Sequence, residues 1–212
     1  MTNWLGLPLL ASANGQEIDN LIGWVHIFMF ILFIGWGAFF LFVLFRFRAS
    51  RHPVADYGGV KSHASSYLEG AVLVAEMVLL FAFSIPLWAA RVDRLPSESE
   101  ALVVQVTGEQ FAWNIRYAGP DGKFGKTDIK LIDLQSNPLG VDRSDPDAKD
   151  DVTTVNQLYL PANRPIIIKL RSKDVIHSFS VPEFRIKADV LPGRYTTTWF
   201  EATRPGEYPL YW

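Results

Sequence analysis

Asp174–Arg194 reads DVIHSFSVPEFRIKADVLPGR, and the rest of the chain is best read outward from it. It carries His177, the only histidine of the C-terminal half, near the end of an apolar, β-type run from Pro165 to Val181. A turn follows at Val181-Pro182-Glu183 and a second at Pro192-Gly193. A histidine at a strand end beside proline-fixed turns is how a β-sandwich presents a metal ligand. The same placement also serves a plain hydrogen-bonding loop residue. The surrounding chain has to choose between the two.

Upstream, two long apolar runs dominate. Leu21–Phe45 has His26 as its only ionisable side chain, and Gly70–Ala90 has only Glu76. About 20 apolar residues cross a bilayer's hydrocarbon core, so each run predicts a transmembrane helix. Gly35 and Gly37 suit close helix packing, and Pro86 predicts a kink by freeing the carbonyl of Ala82. The connector holds Arg46, Arg48, Arg51 and Lys61 against Asp56 alone, whereas residues 1–20 hold no Lys or Arg. Excess basic charge marks the cytoplasmic side, so both termini are expected on the periplasmic or external face. The apolar Trp4–Ala11 run before Ser12 and Ala13 has no base ahead of it, so cleavage as a signal peptide is not expected. Glu69 and Glu76, seven apart, fall on one helical face. Either they pack against a partner's polar surface, or they mark proton uptake at the cytoplasmic rim, which suits Glu69 better.

These features divide the chain into an external segment (1–20), a helical hairpin with its cytoplasmic connector (21–90), a linker (91–100) and an external β domain (101–212). Within the last, Ala101–Thr107, Phe111–Tyr117, Gln157–Leu160, Ile166–Leu170, Val175–Val181, Thr196–Phe200 and Tyr208–Trp212 read as short strands between turns. That spacing predicts an antiparallel sandwich of Greek-key type. Asp128–Asp151 is a loop with seven Asp, expected to be a solvated surface rather than a landing site for a basic partner. A net charge of -2 with no basic run excludes nucleic acid as a partner. With no cysteine there is no disulfide, zinc-thiolate site or nucleophilic thiol.

With these residues laid out, the chain resembles subunit II of the heme-copper terminal oxidases over about Trp24 to Trp212. Leu68-Glu69 with Pro86 resembles the family's second transmembrane helix, and Gly108-Glu-Gln-Phe-Ala-Trp113 its glycine-x-glutamine-aromatic-x-tryptophan stretch. Asp174–Pro182, with Lys187-Ala-Asp189 and Pro192-Gly-Arg194, is similar to its first copper-ligand loop. The resemblance implies a two-helix transmembrane hairpin followed by an all-β cupredoxin-like domain. It further implies a dinuclear copper centre, CuA, that takes electrons from a cytochrome c. These pass to heme in subunit I, which also holds a further copper, reduces oxygen and pumps protons beside subunit III.

Carried over residue by residue, His177 falls on one copper ligand. Phe111 stands at the electron entrance, where the family usually has tryptophan, and Trp113 matches the second aromatic. This departure points to a donor other than the usual soluble cytochrome, such as one bound permanently in a larger assembly. Both aromatics equally suit a sandwich core. Glu69 falls at the proton channel and Glu183 near an interfacial magnesium. Asp189 and Arg194 fall at the subunit I contact, although a turn-stabilising role fits both acids. The remaining copper ligands of the family are two cysteines, a glutamate carbonyl, a second histidine and a methionine, expected from Trp212 onward. The domain has none of these thiolates, and soft sulfur bridges are what a mixed-valence copper pair requires. The 212 residues therefore cannot hold the centre unaided.

Three explanations are open: a sequence that stops short of its copper-ligand run, a copper-free branch fed by quinol, or a shortened scaffold subunit. The full loop around His177 favours the first, as does a sandwich that would end inside its own edge strand. A nitric oxide reductase of the same superfamily is the remaining alternative.

Overall fold

A computed structural model describes residues 5–55, 57–59 and 61–212; readings that fall on Met1, Trp4 and Asp56 lie outside the described residues. The chain forms two compact units. One contains Glu17–Trp88 and the other Leu7–Gln16 with Ala89–Trp212.

The first unit is helical. Helix α1, Gly15–Arg46, is 32 residues long, about 48 Å at 1.5 Å per residue, against roughly 30 Å of hydrocarbon core. Helices α2 (Ala64–Val78) and α3 (Ile85–Val92) are joined by a π-helical turn, Leu79–Ser84, into one run of 29 residues. The most apolar stretch of each run buries none of its residues, and both are long and apolar enough to cross a membrane. The break expected at Pro86 takes the form of that π turn. Proline has no N–H and its ring crowds the preceding turn, so the chain widens just ahead of it. The Ile85 N–H reaches back to Leu80 O, and Ser84 Oγ donates to Leu79 O at 3.1 Å.

The second unit is a sandwich. Its strands are β1 (Leu102–Glu109), β2 (Ala112–Tyr117), β3 (Val152–Val155), β4 (Pro165–Ser172), β5 (His177–Val181), β6 (Ile186–Val190) and β7 (Thr196–Glu201). One sheet has the order β3-β2-β1-β4-β7, and β5 and β6 form a second. Alternation places Val104, Val106, Ile166, Ile168 and Leu170 of the large sheet in one core with Phe179, Val181 and Val190 of the small one.

Most neighbours are antiparallel, as expected, but β1 and β4 pair in parallel. Strands β3 and β4 run the same way on opposite sides of the β2–β1 pair, so the connection 156–164 must cross over. This corrects the strand expected at Gln157–Leu160. That segment is the crossover, and Leu158 and Leu160 pack against the core instead of joining a ladder. Tyr208–Trp212 likewise contributes a single bridge, Tyr211 to Ser180, rather than a strand.

Two further ties were not foreseen. Leu7–Asn14 is stitched into the sandwich: Ala11 N donates to Glu183 O (2.8 Å), Thr203 N to Ala11 O (2.8 Å), and Ser12 Oγ to Phe184 O (2.7 Å). The aspartate-rich loop is not wholly a solvated surface, because Asp151 is buried. Its Oδ2 accepts from Arg116 Nε at 3.1 Å and from Gly125 N at 3.1 Å, while Arg116 also donates to Gly125 O at 2.6 Å.

Candidate functional site

His177 opens β5, opposite Val190 of β6, and its ring is buried. Three residues upstream, Asp174 lies in the tight turn after β4. Its carboxylate accepts from Gln110 N (2.8 Å), Val175 N (2.7 Å) and Ser172 Oγ (3.2 Å). His177 Nε2 donates to the same group at 2.8 Å. A carboxylate only accepts, so Nε2 bears the proton of this bond, and in the neutral ring Nδ1 carries the lone pair. Nδ1 makes no hydrogen bond among the described residues. Desolvation pushes the Asp174 carboxyl up, but the bonds from His177, Gln110, Val175 and Ser172 outweigh it and hold the group well below the usual carboxylate range.

Aromatic rings enclose the imidazole. Trp113 meets it edge-on at 5.9 Å between centroids and Trp212 lies at 5.6 Å. Trp212 also touches Trp113 at 5.7 Å and Phe111 at 5.6 Å. Phe111 is 78% exposed, so the cluster runs from the surface to the buried histidine. The backbone of Gly108 closes the far side. A Cβ there would sit 2.9 Å from His177 Cδ2 and 3.0 Å from Trp113 Cζ3, so only glycine admits both rings. A groove of about 980 Å³ opens beside the cluster, between the 156–164 crossover and the chain's last residues.

The fold thus gathers His177, Trp113 and Phe111 in one place. Glu183 is not with them: it lies past the other end of β5, in the turn Pro182–Phe184, with Oε2 buried and no hydrogen-bond partner among the described residues. Asp189 stands on β6 opposite Ser178, exposed. Arg194 is exposed in the β6–β7 turn, after Gly193 at φ +76°. Glu69 belongs to α2 in the helical unit. Asp174, Gly108 and Trp212 were missed as site residues. The Asp-x-x-His spacing was the one available signal, since a turn of that length returns the carboxylate to the ring.

The family described as cytochrome C oxidase subunit II, periplasmic domain, matches residues 102–210. The chain belongs to this family. An alternative cytochrome c oxidase subunit 2 of Bradyrhizobium diazoefficiens is 41% identical over 113 residues, 53% of this chain and 40% of that relative. Cytochrome c oxidase subunit 2 of a Synechocystis species is 26% identical over 96% of this chain and 66% of its own length. This oxidase subunit II chain therefore spans less than two thirds of either relative. The crystal structure of the periplasmic domain of subunit II of the Bradyrhizobium japonicum oxidase superposes with a TM-score of 0.36 at 30% identity, covering 54% of this chain and 72% of that one.

The expected architecture of two apolar helices followed by a cupredoxin-like sandwich is the one found. The CuA donor set does not fit the residues present. Residues 101–212 hold one histidine and neither cysteine nor methionine, and no group of three or more metal-ligating side chains occurs among the described residues.

Proposed function

We propose that this chain is the electron-receiving subunit II of a proton-pumping heme-copper terminal oxidase. The observation that carries this reading is the aromatic path from exposed Phe111 to the buried His177 ring, on a domain of the oxidase subunit II family. Phe111 and Trp113 form the electron entrance for a cytochrome c-type donor, and the acceptor is heme in a subunit I neighbour, with subunit III and lipid around the helices. The two helices anchor the chain in the cell membrane, connector on the cytoplasmic side and sandwich on the periplasmic side. Glu69 serves proton uptake at the cytoplasmic rim, Asp189 and Arg194 contact subunit I, and Glu183, with its unpartnered buried oxygen, suits an interfacial magnesium.

Asp174 and Gly108 orient the histidine, holding Nε2 on the carboxylate and leaving Nδ1 as the ring nitrogen not bonded to it. Copper at this site requires ligands beyond those of residues 101–212. Tyr211 pairs antiparallel with Ser180, so the backbone at Trp212 is heading along β5 toward His177, which is where further ligands would need to arrive. The absence of thiolates from residues 101–212 also fits one other reading, a copper-free subunit of a quinol oxidase or a structural scaffold.

The test uses the assembled membrane complex expressed from the whole gene. The proposed function expects a heme-bearing partner, copper in excess of that in subunit I, and oxygen consumption driven by reduced cytochrome c. Oxidation of quinol alone, with no excess copper, supports the scaffold reading. Purification of the chain without any heme protein overturns both.

A further inference from the structure

A second concavity lies in the β unit, on the face of the large sheet that points away from the core. Its volume is about 250 Å³, far more than a single water needs. The register explains its floor. On β1, Val104 and Val106 face the core, so Gln105 and Thr107 face outward. Gln105 pairs with Arg116 of β2 and Thr107 with Arg171 of β4, which puts two arginines on the same outer face. Residues 124–127 bring Lys126 to the rim, Ile132 and Leu139 of the aspartate-rich loop cover it, and Lys173 and Tyr195 complete the wall. The lining contains four bases and no carboxylate, in a chain whose net charge is -2.

Two of those bases are already balanced. Arg116 is paired with Asp151, and Lys173 with Glu109 at 2.6 Å. Arg171 and Lys126 form no salt bridge among the described residues. Most of the loop's acids are engaged in its own turns, but two stand beside Lys126: Ser144 and, more weakly, the Lys126 charge hold the Asp142 carboxyl below its ordinary value, and Asp145 caps the Lys126 amide. Asp128 accepts from Lys130 N, Asp133 from Gln135 N and Ser136 N, Asp142 from Ser144 N, and Asp145 from Lys126 N. The last bond pins the Lys126 backbone at the pocket rim. Arg171 is held as well: its Nη1 donates to Tyr195 Oη at 3.3 Å, and the guanidinium lies 5.8 Å from that ring's centroid. Because Tyr195 Oη accepts this bond, its own proton is left to donate. Arg171, held by Tyr195, the Lys126 ammonium group, which forms no salt bridge although Asp142 lies within its field, and a hydroxyl donor line a space that admits a small group, a set of donors suited to a tetrahedral anion.

We propose that this pocket binds a phosphate-type oxyanion, with Arg171 and Lys126 as the charged contacts and Tyr195 as hydroxyl donor. The same chemistry fits free phosphate or the headgroup of an anionic phospholipid. The site is separate from the His177 cluster and does not depend on the electron-transfer reading.

The experiment is isothermal titration of the full chain, in a zwitterionic detergent at low ionic strength, with inorganic phosphate and separately with dihexanoyl phosphatidylglycerol. Saturable one-to-one binding is expected. Arg171→Gln and Lys126→Gln should each weaken it by about tenfold or more, whereas Lys149→Gln, on the loop but outside the pocket, should leave it unchanged. Lys126 is exposed and its side chain forms no salt bridge among the described residues, so its variant keeps the test valid if Arg171→Gln loses stability. Binding of phosphate identifies a free anion as the occupant. Binding of the lipid alone, lost in the same two variants, identifies a headgroup. Absence of binding by both probes, or binding equally strong in all variants, overturns the proposal.

Discussion

Replacing Gly108 with alanine places a methyl carbon 2.9 Å from His177 Cδ2, 3.3 Å from its Cγ and 3.0 Å from Trp113 Cζ3. Carbon atoms rest at about 3.5–4.0 Å, so at least one partner must move by half an ångström or more. Neither ring is free to swing. His177 is tied to Asp174 at 2.8 Å, and Trp113 is wedged between Phe179 at 5.9 Å and Trp212 at 5.7 Å. Overpacking of this kind costs about 1–3 kcal/mol. Alanine returns about 0.4–1 kcal/mol by restricting the unfolded chain. A net loss of about 1–2 kcal/mol lowers the midpoint of a domain near this size by roughly 5–10 °C. Thermal unfolding of the full chain in detergent, followed by near-UV circular dichroism of the tryptophans, measures it. Gly70→Ala, where nothing lies within 4 Å, is the comparison and should leave the sandwich unaffected. An unchanged or higher midpoint for Gly108→Ala, with the His177 ring resonances unshifted, would refute close packing of the ring on β1.

Asp151→Ala leaves the Arg116 guanidinium buried without its counter-charge and should cost about 3–5 kcal/mol in urea unfolding; a loss no larger than that of exposed Asp121→Ala contradicts the buried lock. Ser12→Ala removes the buried bond to Phe184 O and should cost about 1 kcal/mol, with faster amide exchange at Ala11 and Thr203. Amides there that already exchange like free peptide would mean the N-terminal segment is not part of the sandwich. The Ser136 hydroxyl and the Ser136 and Gln135 amides hold the Asp133 carboxyl below its ordinary value. Its stabilising contribution is therefore complete above about pH 4 and disappears as pH falls through the depressed value. Carbon-detected NMR titration should place its midpoint below that of a free aspartate and show it rising in Ser136→Ala; a midpoint unaffected by that substitution rules out the turn as cause. Under the proposed function, Glu69→Gln slows proton uptake several-fold in the assembled complex, and unchanged turnover would leave Glu69 only a packing role.

The parts of this molecule that were legible in the sequence share one property: their signal is local. Leu21–Phe45 and Gly70–Ala90 announce helices because length and apolarity need no partner to be read. The break before Ile85 was visible through Pro86, although its π form was not, since that depends on which carbonyl the Ile85 N–H can reach. The Asp174–Arg194 run was conspicuous through its turns and lone histidine, and β5 was legible within Val175–Val181, but its hairpin partner β6 (Ile186–Val190) was not. Gln157–Leu160 looked like a strand because its apolar alternation is the same whether residues face a core from a ladder or from a crossover.

The sequence by itself determined the division into apolar helices and a turn-rich β domain, the place of His177, and the absence of thiolates from residues 101–212. Only the tertiary structure decided that Leu7–Asn14 completes the sandwich, that β1 and β4 run in parallel, and that Asp174, Gly108 and Trp212 enclose the imidazole. It alone brought Arg116, Lys126 and Arg171 to one pocket. Each of these joins residues far apart in the chain, and periodicity reports which face a side chain takes, never which distant face it will meet.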